Sequence, residues 1–211
     1  HADKPAILWE GEDGSRREMS FAVLRDTVAK AAGGLHALGI GRGDVVGLFM
    51  PSVPETIAAF LAIASVGAVA LPMFSGFGVQ AVAERLADSG AVAAITVDRT
   101  FRRGKPVEMA EVIETVRATT PALRHVVVVA RDPENADPRW LGWDDFLAAA
   151  EPMAPVELPA EVAAKFLPAL PAKQSHGAWA DQTRDTHIPT AALLGMISLR
   201  DRYDRPQTLA A

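Results

Sequence analysis

Four cationic side chains, Arg99, Arg102, Arg103 and Lys105, fall together in "DRTFRRGKPV", in a chain whose formal net charge is −5. Guanidinium forks and an ammonium point charge suit phosphate oxygens. A solvated charged loop is the competing reading of the same run. Upstream, "FSGFGVQA" (74–81) presents Gly-x-Gly-x-x-Ala between the apolar "GAVALPM" and the helix-like "VQAVAERLADSG". If this is a dinucleotide cradle, Gly76 makes the tight turn, Gly78 admits the pyrophosphate backbone, and Asp98, about twenty residues on, takes the ribose. Against that reading, the unit comes third in the chain rather than first, and two-glycine loops follow strands in many α/β domains. A second glycine run, "LGIGRGDVV", follows a helix and precedes a strand, the wrong polarity for a phosphate site at a helix N-terminus. It reads as a helix stop. His36 and His125 sit in periodic segments, and His176 and His187 lack metal-ligand spacing. No Gly-x-Ser-x-Gly elbow and no carboxylate pair accompanies them. No catalytic residue and no metal ligand is therefore assigned.

Bulk properties narrow the classes. Of 211 residues, 49% are hydrophobic and 22% charged, ordinary for a globular chain and without the basic footprint of a nucleic-acid binder. There is no cysteine, which removes disulfides, thiol nucleophiles and cysteine metal sites. The longest apolar candidate, "TIAAFLAIASVGAVALPMF", is broken by Ser65, Gly67 and Pro72 and reads as helix plus strand rather than a membrane span. A cytoplasmic location is the default expectation. The chain starts at His1 without a charged-then-apolar leader, so its start is expected to be a processed, trimmed or incomplete end.

The candidate residues need strands and helices to hold them. "PAILW" (5–9) reads as a short strand, with Gly11, Asp13 and Gly14 as a polar turn. Phe21, Leu24, Val28, Ala31, Leu35 and Leu38 then recur at helical spacing, with Ser20 as N-cap and Gly39 as the stop. "DVVGLFM" is a buried strand ended by Pro51. Pro54 and Glu55 suit the first turn of a helix that runs to Gly67. A strand at 68–73, a helix at about 79–89, the strand "AVAAITV", a helix at about 108–119, the strand "HVVVV" and a short helix near "WDDFLAAA" follow. This alternation implies an α/β fold, a mostly parallel sheet with helices on both faces. Ligands of such sheets lie beyond the carboxyl ends of the strands, so the loops after Met50, Met73 and Val97 are where a site belongs. The Arg-rich run leaves the same edge as Gly76.

From Glu151 the character changes. "EPMAPVELPAEVAAKFLPALPAKQ" is rich in Pro and Ala, and "SHGAWADQTRDTHIP" is polar without a period, which reads as linker or disorder, with one further helix in "TAALLGMISLRDRY". Residues 1–150 are thus expected to form one αβ unit and 151–211 an atypical tail.

Taken in order, "LGIGRGDVV", "MPSVPETIAAFLAIASVGAV", "FSGFG" and the "ITVD…RRGKPV" loop closely resemble the N-terminal part of the AMP-forming acyl-CoA synthetases, in the acetyl- and propionyl-CoA synthetase branch. The resemblance covers residues 1 to about 150. It implies a two-step ligase, in which a carboxylate attacks the α-phosphate of ATP to give an acyl-adenylate and pyrophosphate, and CoA then displaces AMP. It implies ATP, CoA and Mg²⁺ for a full-length member, a small-molecule carboxylate as substrate, and here an incomplete N-terminal domain of the adenylate-forming fold. It further implies that Gly76, Arg102 and Lys105 line the channel for the nucleotide end of CoA, whereas Arg103 matches a variable position.

One departure is large. The family's Ser/Thr/Gly-rich phosphate loop belongs at about 165–180, where this chain has "KFLPALPAKQSHGAW". Codons for Leu167–Lys173 exist that, read from the third base of Leu167, spell Ser-Gly-Ser-Thr-Gly-Lys. A frameshift near Leu167 is the expectation this raises. A chain without that loop is expected to lack ligase activity and to act, if at all, as a CoA- or nucleotide-binding module; the NAD-binding reading of Gly76, Gly78 and Asp98 stands as the remaining alternative. A sheet without its covering strands is also expected to self-associate.

Overall fold

In the computed structural model the described residues are 2–12, 14–102, 104–131 and 136–157, with Arg102 described by its backbone. Of the linker or disorder expected from residue 151 onward, the part from 158, with the late helix in "TAALLGMISLRDRY", lies outside them.

Two antiparallel strands, β1 (Pro5–Glu10) and β2 (Arg16–Ser20), form an N-terminal hairpin. Helix α1 (Phe21–Ala37) follows directly. Its N-cap is Ser20, whose Oγ accepts the Val23 N–H at 3.2 Å, and Gly39 leaves the last turn at φ +75°. Strand β3 (Val45–Phe49), helix α2 (Pro54–Ser65), strand β4 (Val69–Met73), helix α3 (Val79–Asp88) and strand β5 (Ala93–Val97) continue the alternation. Pro54 opens α2, where the missing N–H costs nothing. After β5 come a second hairpin, β6 (Arg99–Arg102) and β7 (Lys105–Glu108), then α4 (Met109–Arg117), β8 (His125–Val129), the two-residue β9 (Leu141–Gly142) and α5 (Trp143–Ala148).

The central sheet has the order β4-β3-β5-β8-β9, and every pair in it is parallel. Counted within the sheet alone, the order is 2-1-3-4-5, that of a doubly wound domain. Helix α1 packs with α2 and with α5, and α3 packs with α4, giving a layer on each face. The near-continuous burial of "VVGLF" and "AAITV" follows, since both faces of these strands are covered. Gly47 in β3 is needed for one layer to close: a Cβ there would lie 2.6 Å from Leu86 of α3 and 3.0 Å from Met73. Phe49, Ile63, Leu86, Ile95, Met109 and Ile113 are among the large residues of the core.

Residues 151–157 run against the helices. The Met153 N–H donates to the Ala29 carbonyl at 2.9 Å and the Val156 N–H to the Ser65 carbonyl at 2.8 Å. Gly33 in α1 has no side chain to hold the Glu151 carbonyl away.

Candidate functional site at the carboxyl edge of the sheet

The strand order reverses between β3 and β5, and a doubly wound sheet offers its crevice at the carboxyl ends of that pair. Here several of the chain's own groups meet across that edge. Thr96, fully buried in β5, donates its hydroxyl to the Phe49 carbonyl at 2.8 Å, tying the two strand ends together. Two residues on, Asp98 Oδ1 accepts the N–H of Arg99 at 2.6 Å and that of Arg131, which lies past the end of β8, at 3.0 Å. The N-terminal hairpin also reaches this edge. Trp9 Nε1 donates to the Ser52 carbonyl at 2.6 Å, and the guanidinium carbons of Arg17 and Arg131 lie 5.7 and 5.5 Å from the indole centroid. Arg17 is in turn paired with Glu55 in the first turn of α2. Nothing in the sequence pattern around Trp9 pointed to this network; the second strand of its hairpin, "RREMS", is too polar to declare itself.

Open positions remain on either side. Beyond β4, the Phe77 N–H closes a turn onto the Phe74 carbonyl at 3.0 Å, with half-buried Gly76 inside it. Phe77 is fixed by Phe74, edge to face at 5.6 Å, and by the Arg85 guanidinium at 4.2 Å from its ring centre. Gly76 is not among the residues with positive φ, so its conformation does not demand glycine. What a glycine contributes there is the absence of a side chain on a turn facing the ligand edge.

Beyond β5, the segment expected as a loop is a β-hairpin. Arg99 faces Glu108, Thr100 faces Val107, Phe101 faces Pro106 and Arg102 faces Lys105 in register, and Gly104 takes φ +75° in the two-residue turn. Charge density hid the hairpin in the sequence, because the alternation of Thr100, Phe101 and Val107 is interrupted by basic residues and by Pro106. Lys105 is exposed, and its side chain has no ion pair or hydrogen bond among the described residues. Arg99, by contrast, lies 3.9 Å from the Asp98 carboxylate.

The sequence-derived positions are therefore brought to one edge in part. Gly76 follows β4, and Arg102 and Lys105 follow β5, with β3 between them, so the strand ends are about 10 Å apart, two strand spacings. Lys105 is exposed beside the hairpin turn, and Gly76 lies in the turn after β4. The NAD constellation fits poorly. The fingerprint needs the acid on the strand next to the glycine strand, whereas β5 is separated from β4 by β3, and Asp98 is already engaged by two backbone N–H groups. Among the described residues no group of three or more His, Asp or Glu could hold a metal ion, and no helix is long and apolar enough to cross a membrane. His36 is exposed on α1, and His125 opens β8 at the opposite edge of the sheet. His176 and His187 lie outside the described residues.

The order 2-1-3-4-5, with a glycine turn after β4 and a basic hairpin after β5, defines a doubly wound α/β domain. The AMP-binding enzyme family matches residues 1–167, and the chain belongs to that family. It is 45% identical over 129 residues to the acetyl-coenzyme A synthetase of Deinococcus radiodurans, covering 61% of this chain and 20% of that protein. It is 39% identical over 145 residues to the acetyl-coenzyme A synthetase of Streptomyces coelicolor, covering 69% and 22%. Among solved structures, acetoacetyl-CoA synthetase from Streptomyces lividans superposes with a TM-score of 0.68 at 30% identity, covering 74% of this chain and 24% of that one. The chain thus spans between a fifth and a quarter of the length of these relatives.

Proposed function

We propose that this chain is the N-terminal, CoA-facing portion of an AMP-forming acyl-CoA synthetase for a short-chain carboxylic acid, and that by itself it binds without catalysing. The observation that carries the reading is the unpaired Lys105 at the tip of a hairpin that shares an edge with the Gly76 turn, in a chain of the AMP-binding family. In this reading Lys105 and Arg102 hold phosphate at the nucleotide end of CoA, and Gly76 admits the ligand against the backbone. Bound ATP with Mg²⁺ supplies the activated phosphoryl chemistry of a full-length synthetase. No described residue is assigned to that step, because stabilising charge on a transferring phosphoryl group takes positioned donors and a metal clamp, and no cluster suited to a metal is found among the described residues. The protein's own contribution is electrostatic and positional: a cation at the hairpin tip and a closed, pre-tied strand edge behind it.

Residues 1–150 form the synthetase-like unit in this proposal and 151–211 the atypical tail. The family match ends at residue 167, where the frameshift was inferred, which supports that origin for the tail. The encoding DNA tests it: an alternative frame from Leu167 should restore the phosphate loop and the motifs after it, and the idea fails if no frame does. A cytoplasmic location belongs to the same proposal.

Calorimetry with CoA tests the binding role. CoA should bind the 211-residue chain, dephospho-CoA should bind more weakly, and Arg102→Ala and Lys105→Ala should each reduce affinity by about 10-fold, the value of one charge-assisted contact. Absence of CoA binding to the wild-type chain, or affinities indifferent to both substitutions, would overturn it.

A further inference from the structure

A cleft of about 240 Å³ opens on the other edge of the sheet, at the amino ends of β8 and β9, and plays no part in the reading above. It is lined by Glu114 and Arg117 from the last turns of α4, by Arg124 and His125 where β8 begins, and by Arg139 and Trp140 just before β9. Its lining therefore carries three guanidinium groups against one carboxylate. Arg117 is paired with Glu114 at 3.3 Å, and Arg139 is held by Glu111 and Asp137, each at 2.7 Å, while its guanidinium carbon lies 4.9 Å from the centre of the Trp140 ring. Arg124 is exposed and has no ion pair or hydrogen bond from its side chain among the described residues.

These roles are complementary. A guanidinium carries five N–H donors, so Arg117 and Arg139 keep donors free after meeting their carboxylates, which fix their orientation at little further entropic cost. Arg124 supplies the uncompensated charge. The local field bears this out at His125, whose pKa lies below its ordinary value because of burial and the charges of Arg124 and Arg117. The groups facing His125 are Glu114 and Arg117 from α4, its neighbour Arg124, and Arg139 from the approach to β9.

We propose that this cleft is a second ligand site that binds a phosphate group, with Arg124 as its recognition arm and Arg117 and Arg139 as preoriented donors. The phosphate is either free or carried on a nucleotide, for which Trp140 offers a stacking surface.

The test follows the His125 imidazole resonance by NMR in the 211-residue chain, assigned with His125→Gln. Inorganic phosphate and AMP are titrated separately, against sodium chloride at matched ionic strength. A saturable shift with a dissociation constant on the order of 1 mM is expected for phosphate and not for chloride. The His125 titration midpoint should rise in the complex, because a bound dianion favours the imidazolium. Arg124→Ala, at an exposed position that does not threaten folding, should weaken binding by about 10-fold or more, and Arg124→Lys should recover part of it. Equal affinities for the two ligands assign free phosphate, and tighter AMP binding assigns a nucleotide; both support the site. An identical response to chloride, or unchanged phosphate binding in Arg124→Ala, overturns it.

Discussion

Asp98 Oδ1 and the backbone N–H of Arg131 are joined at 3.0 Å across the carboxyl ends of β5 and β8. The same oxygen accepts the N–H of Arg99, so one carboxylate fixes both the start of the basic hairpin and the loop after β8. Asp98 thus positions the hairpin rather than meeting a ribose. Replacing it with alanine removes a charged acceptor shared by two N–H groups, at a cost of about 1–3 kcal/mol. Chemical denaturation of Asp98→Ala should show that loss, and CoA affinity should fall with it although Asp98 makes no ligand contact.

Gly33 should be equally intolerant for a steric reason. A Cβ at this position falls on the Glu151 carbonyl oxygen, so Gly33→Ala must push residues 151–157 off α1. The expected cost is about 1–3 kcal/mol, typical of overpacking. Limited proteolysis should show faster cleavage near Met153 in the variant than in the wild type; equal rates would mean that the segment does not depend on this contact.

Strand β4 closes the sheet on one side, with no strand paired beyond it among the described residues, and its Val69 is 52% exposed. Such an edge is a template for pairing with another chain. Sedimentation velocity should reveal concentration-dependent association of the wild type, reduced in Val69→Lys, since an edge lysine opposes strand pairing. A wild type that stays monomeric at high concentration would contradict this.

Much of the fold could be read from the residues alone. Ser20, Pro54 and Gly39 mark helix ends by chemistry that acts locally, and the largely apolar runs at 45–49 and 93–97 report two covered faces. The site was legible only as far as its edge. Gly76 and Lys105 could be placed at strand ends, but the sheet order that sets β3 between them is a long-range property that no local pattern carries. For the same reason the Trp9 contacts with Ser52 and Arg131 were hidden: they join segments more than forty residues apart, and a single indole in a polar hairpin has no periodicity to betray its partner.

His125 gives a pH signature. Its pKa is lowered in the folded chain by burial and by Arg124 and Arg117, so the unfolded chain binds its proton more readily. The stability associated with the neutral imidazole is complete above its unfolded pKa of about 6.5 and is lost as pH falls from there toward the lower folded value. Thermal melts between pH 7.5 and about pH 5 should show a decline that His125→Gln makes shallower. A variant with the same slope as the wild type would remove His125 from that role.

In the proposed reading this chain carries the CoA-facing edge of a synthetase and not its adenylation step. ATP–pyrophosphate exchange on the 211-residue chain, with acetate and then propionate, addresses it most directly. Exchange at the level of the protein-free control is the predicted result. Acid-dependent exchange above that level would contradict it, because the chain would then hold phosphate-stabilising groups of its own.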